Sequence, residues 1–103
     1  MKSKNTLELV LKRKWFELMI AGKKRIEIRT KKKYWESRLV GKNFDLVKFR
    51  NGYKTKSPFF ICKFIKIEIS KKDDEISFEG EIAKINKGDF IIFLGDIIEK
   101  GNL

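Results

Sequence analysis

A chain of 103 residues has the length of one domain, 1–103, with a single core, one site and no separate catalytic and binding modules. It carries 25 Lys plus Arg against 14 Asp plus Glu, a net charge of +11, which favours a polyanionic partner over a neutral one. The absence of His and the single Cys exclude a Ser-His-Asp or Cys-His nucleophile, a His metal site, a thiolate zinc site and an intramolecular disulfide.

In chain order, Leu7, Leu9 and Leu11 repeat with period two and predict a first strand with one buried face. The period then lengthens: Trp15, Leu18, Met19 and Gly22 follow helical spacing, so a helix is predicted from about Lys12 to Ala21. Gly22 suits the left-handed position that ends it. Arg25-Ile26-Glu27-Ile28-Arg29 alternates strictly and predicts a half-buried strand, with Ile26 and Ile28 toward the core and the three charges opposite. Lys31 to Arg38 is basic and aromatic and predicts a short helix ending before Gly41.

Phe44 to Arg50 predicts another strand, and Asn51-Gly52 a tight hairpin, with Pro58 restricting where the returning strand starts. From Phe59 to Ile69 the apolar parity changes, from Phe60, Cys62 and Phe64 to Ile65, Ile67 and Ile69, which predicts a β-bulge near Phe64. Cys62 lies in this apolar run and reads as a buried structural thiol, in keeping with a reducing compartment. Lys71 to Glu75 is polar and predicts a surface loop, and Asn86-Lys87-Gly88-Asp89 a turn into the strand Phe90–Leu94. The sum is a small α+β domain of five or six strands and one good helix, built around a barrel-like sheet. No run approaches the roughly 18 apolar residues of a membrane span, and residues 1–6 show no apolar signal core, so a cytoplasmic chain without membrane contact is expected.

The stretch Trp15 to Arg29 gathers the chemistry. It places a helix, a basic turn with Lys24, and a strand face with Glu27 between Arg25 and Arg29, where a carboxylate and several cations converge. Lys12, Arg13 and Lys14 crowd the start of the same helix, where an anion would offset their opposition to the helix dipole. Lys31-Lys32-Lys33-Tyr34-Trp35 combines phosphate-seeking charge with aromatic faces, as single-strand binders do, and Trp35 with Leu39 fits core packing equally well.

On these residues the chain resembles the activating signal cointegrator homology (ASCH) family, a branch of the PUA-like β-barrels. Its G-x-K-x-x-E-x-R motif is present as Gly22-Lys23-Lys24-Arg25-Ile26-Glu27-Ile28-Arg29, and the element order continues through Val40-Gly41 to Phe49. The resemblance covers roughly residues 6 to 94, with its specific residues between 15 and 50. It implies a pseudo-barrel with one main and one short helix, and a cleft that binds RNA or a nucleotide through Lys24, Glu27 and Arg29.

Arg25, Trp35 and Arg13 complete the expected ligand-binding set. Some small bacterial relatives of this family are N4-acetylcytidine amidohydrolases using a Lys and a Thr of a related segment, aided by a downstream Glu. Here Lys24 matches the Lys, but Glu27 stands at the Thr position, and Glu68, Glu75 and Glu79 are the candidates for the downstream Glu. The leading expectation is therefore an RNA- or nucleotide-binding module without cofactor or metal. The alternative is a small hydrolase, an amidohydrolase or ribonuclease, using Lys24 and Glu27 as acid and base. A third is a protein-interaction module that offers its basic face to an acidic partner.

Overall fold

The structure, a computed structural model, describes residues 5–103. Strand β1 (Thr6–Val10) buries Leu7 and Leu9, and Leu11 continues the stripe beyond the strand. Helix α1 (Arg13–Ile20) turns Phe16 and Met19 into the core. It closes as a Schellman turn: Gly22, at φ +75°, donates to the Met19 carbonyl, and Lys23 donates to that of Leu18. Strand β2 (Ile26–Arg29), helix α2 (Lys33–Leu39) and strand β3 (Leu46–Arg50) follow.

Strand β4 (Phe59–Ile69) returns antiparallel to β3, with Arg50 opposite Phe59. The connection is an eight-residue loop, 51–58, and not the expected two-residue turn. Asn51 is occupied elsewhere: its amide group donates to the Leu11 carbonyl, and its N–H to that of Pro58. The polar stretch expected to be a loop is partly strand, since β5 (Asp74–Phe78) begins inside it and pairs with β6 (Glu81–Ile85) in a separate two-stranded sheet. Strand β7 runs from Phe90 to Gly101, well past the expected end at Leu94, because it keeps β4 as a partner throughout.

The main sheet has the order β1-β3-β4-β7-β2 and is strongly curled, a half-barrel with β1 and β2 as its two edges. The curl has a local cause. Between β4 and β7 the register shifts at Ile61/Cys62, Cys62/Phe64 and Phe64/Lys66, and each irregularity bends the long strand pair at the place where the apolar parity of β4 changes. Inside the curl, Phe60 packs at 5.1 Å between centroids on both Phe16 and Phe49, and Val47, Cys62, Phe90 and Ile92 fill the remaining core. Burial pushes the Cys62 thiol up to about 11.

The alternation in β2 is real, but its inside and outside are exchanged. Glu27 and Arg29 sit opposite Ile92 and Phe90, which are core residues, whereas Ile26 and Ile28 sit opposite Phe93 and Ile91 on the other face. Two charges are tolerated on the inner face because they neutralise each other and because the half-barrel stops there. Among the described residues, no helix is long and apolar enough to cross a membrane.

Candidate functional site

The half-barrel does not close by strand pairing between β1 and β2, and a cleft of about 520 Å³ lies in the seam. Val10 and Leu11 line it from the β1 side, Glu27 to Thr30 from the β2 side, Trp15 from α1, and Ile82 to Lys84 from the β6 strand. Arg29 spans the seam: its Nη2 donates to the Val10 carbonyl at 3.1 Å and to Glu27 Oε2 at 2.7 Å. One side chain thus links the two edges that no hydrogen-bond ladder joins.

The Schellman turn aims the basic tripeptide that follows it. Lys23 and Arg25 point outward, to Glu79 at 2.9 Å and Asp96 at 3.1 Å, while Lys24 turns inward and is 4% exposed. Its Nζ donates to Glu27 Oε1 at 3.1 Å and lies 5.1 Å from the Trp15 ring centroid and 5.7 Å from that of Phe78. Glu27, 7% exposed, therefore bridges two cations with its two oxygens. Burial pushes the Lys24 ammonium below the ordinary lysine range. The charge and hydrogen bond of Glu27 oppose that, and the positive charge of Arg29 adds to it.

In an antiparallel ladder, alternate residues turn their main-chain groups away from the partner strand. Leu94 N–H bonds the Arg25 carbonyl, so Arg25, Glu27 and Arg29 face β7 with their main chain, and Ile28 offers its N–H and carbonyl to the seam. The cleft thus combines a half-buried indole, a carboxylate between two cations, and a free strand edge. Lys12 and Lys84, both exposed, stand at its margin.

Of the residues expected to bind ligand, the structure brings together Lys24, Glu27 and Arg29 and leaves three outside the cleft. Arg25 is on the outer surface with Asp96. Arg13 is exposed and paired at 2.8 Å with Glu17, one helical turn along. Trp35 lies behind the site: its ring sits 4.9 Å from the Arg29 guanidinium and holds it against the core, so it positions a cation and does not face the cleft. None of the downstream glutamates lines the cleft; Glu68 pairs with Lys66, Glu79 with Lys23, and Glu75 is exposed on β5.

The cleft also holds residues that the sequence did not mark as ligand-binding, among them Trp15, Ile28, Lys84 and Asp89. Asp89, buried, accepts hydrogen bonds from the N–H groups of Lys31 at 3.0 Å and Asn86 at 2.8 Å. It fixes the turn before β7 against the segment leaving β2, which holds the far wall of the cleft. The signal was an Asp closing a four-residue turn, a pattern that satisfies local N–H groups. Among the described residues, no group of three or more His, Cys, Asp or Glu is placed to hold a metal ion. No family model, curated protein or solved structure matches the chain.

Proposed function

We propose that the cleft binds a nucleotide, free or as part of a single-stranded RNA, and that the chain is an ASCH-type module of the PUA-like class. The observation that carries this reading is the Lys24–Glu27–Arg29 network, buried on the floor of an open cleft of about 520 Å³. Small-ligand sites run to roughly 300–1,000 Å³ and combine an apolar wall with a few fixed polar groups, and this cleft has both. Trp15 supplies an apolar wall against a base, its indole also approached by Lys14 Nζ at 4.7 Å and Lys24 Nζ at 5.1 Å. The Glu27 carboxylate and the main-chain groups of Ile28 suit the donor and acceptor edge of that base. Lys12 and Lys84 at the margin suit its phosphate.

The lowered ammonium of Lys24 beside Glu27 favours one second reading, a hydrolase in the same cleft. In a Thr-dependent relative, the hydroxyl attacks the acetyl amide, the amine leaves with a proton, and water cleaves the resulting ester. A carboxylate at that position would form an anhydride instead, and no downstream glutamate reaches the cleft. Binding without turnover is the better reading.

A single titration panel separates the two. Nucleosides, nucleoside monophosphates, short RNAs and N4-acetylcytidine are titrated calorimetrically against the wild type, Lys24→Met and a Lys12→Ala/Lys84→Ala double variant, with chromatography for cytidine. The expected result is binding of phosphate-bearing members, weakened by both variants, with the rim variant sparing nucleosides. Cytidine release is expected to fall far below the roughly 10 s⁻¹ of a median enzyme. Turnover near that rate, lost in Lys24→Met, would establish the hydrolase, and a panel with no binder tighter than about 1 mM would reject both readings.

A further inference from the structure

Away from the cleft, two depressions meet beside the C-terminal end of α2. One, of about 290 Å³, lies between Val40, Gly41 and the side chains of Phe64 and Ile67; the other, of about 580 Å³, runs toward Lys33 and Gly88. They share Val40, Ile69 and Phe90 and so form one continuous groove. Phe90 and Leu39 are buried in its floor, but Val40 and Ile69 are 57% and 58% exposed. These two β-branched residues carry the apolar floor of the groove out to the surface, where an aliphatic partner side chain would find contact.

The charge around the groove is one-sided. Among the described residues, Lys31 and Lys33 border one end and Lys42 the other, against a single lining carboxylate, Glu36. Lys31 is held in place, since its N–H is fixed by Asp89 and its methylene stem lies over Gly88, where a Cβ would come within 2.7 Å of Lys31 Cδ. Three lysines beside an aliphatic trough would oppose like charges if a second copy docked through the same face. An RNA strand would find little aromatic surface to stack on there: Tyr34 and Trp35 do not line the groove, Phe90 is buried in its floor, and Phe64 packs against Phe44.

We propose that this groove docks an acidic peptide segment of a partner protein, with two aliphatic side chains entering the two depressions and flanking carboxylates meeting Lys31, Lys33 and Lys42. The surface is separate from the nucleotide cleft and does not depend on that reading. It fits the mode in which apolar anchors supply contact and charge supplies orientation and partner choice.

The test selects random displayed dodecapeptides on the full chain at physiological salt and maps the enriched peptides on the wild type by amide chemical-shift changes. The expected outcome is enrichment of aliphatic pairs flanked by Asp or Glu, with shifts at Val40, Gly41, Ile69 and Gly88. Affinity should fall about ten-fold or more in a Lys31→Glu/Lys42→Glu variant. The mapping uses unaltered protein, so the result does not depend on how a variant folds. Failure to enrich such peptides overturns the proposal, as do shifts confined to Glu27 and Ile28, groove shifts produced by short RNA instead of by peptide, or groove shifts produced by raising the protein concentration alone.

Discussion

At the scale of single residues, the two members of the buried pair are unequal. Glu27 serves both Lys24 and Arg29, so Glu27→Gln leaves two inward cations without a counter-charge, whereas removing the Lys24 ammonium leaves Glu27 still paired with Arg29 at 2.7 Å. Breaking a buried ion pair so that one charge is left alone costs about 3–5 kcal/mol, and Glu27→Gln is expected in that range. Lys24→Met should cost far less, because folding disfavours the charged lysine in the first place. The pH dependence has a definite sign. With the folded pKa below the ordinary lysine value, the unfolded chain holds the Lys24 proton more tightly, and the folded state gains relative stability as pH rises through the window between the lowered pKa and 10.5. Urea denaturation of wild type and Lys24→Met across that window checks it, and the contribution of Cys62 cancels in the difference. The wild type should gain on the variant as pH rises, and an opposite trend would show that Glu27 stabilises the charged lysine more than burial penalises it.

At the scale of elements, the β5–β6 hairpin is the part of the cleft wall least bound to the rest. It forms its own two-stranded sheet, and its ties include the exposed pairs Lys14–Glu81 and Lys23–Glu79, each worth under about 1 kcal/mol, together with burial of Ala83 and Ile85. Two-stranded ribbons are marginal alone. Its amides are expected to exchange hydrogen faster than those of β4 and β7, with the gap widening in high salt or in a Glu79→Gln/Glu81→Gln variant. Hydrogen exchange by mass spectrometry reads this directly, and equal protection of both sheets would mean that the hairpin unfolds only with the core.

The same hairpin marks the limit of what periodicity reveals. Leu7, Leu9 and Leu11, the Trp15–Met19 stripe, Gly22 and the parity change in β4 were legible because each answers to a local rule of helix, cap or pleat. Asp74 and Glu75 were not, since a strand outside the main sheet has no need of apolar alternation. Nor was the facing of β2: alternation gives two faces, but which is inner depends on the curl of the sheet and on the Glu27 bridge, both long-range. The motif spacing brought Lys24, Glu27 and Arg29 together, but adjacency along the chain put Arg25 and Arg13 in the same group, where the fold separates them.

At the scale of the molecule, a net charge of +11 suggests a steep salt dependence, but the structure divides that charge unequally. Arg13, Lys14, Lys23 and Arg25 each have a carboxylate partner, and Lys24 and Arg29 share Glu27, which leaves Lys12 and Lys84, among the described residues, as the cations at the cleft margin best placed for phosphate. Each phosphate neutralised on a single strand contributes roughly −0.7 to the slope of log affinity against log salt concentration. Two contacts predict a slope of about −1.4 for a short RNA, much shallower than the net charge alone implies. The Lys12→Ala/Lys84→Ala variant should bring it close to zero while leaving the fold intact, since both side chains are exposed. Fluorescence anisotropy of a labelled oligonucleotide over a salt series measures it. A slope steeper than about −3.5, unchanged in the double variant, would mean five or more phosphate contacts elsewhere and would move the binding surface from the seam to the outer lysines.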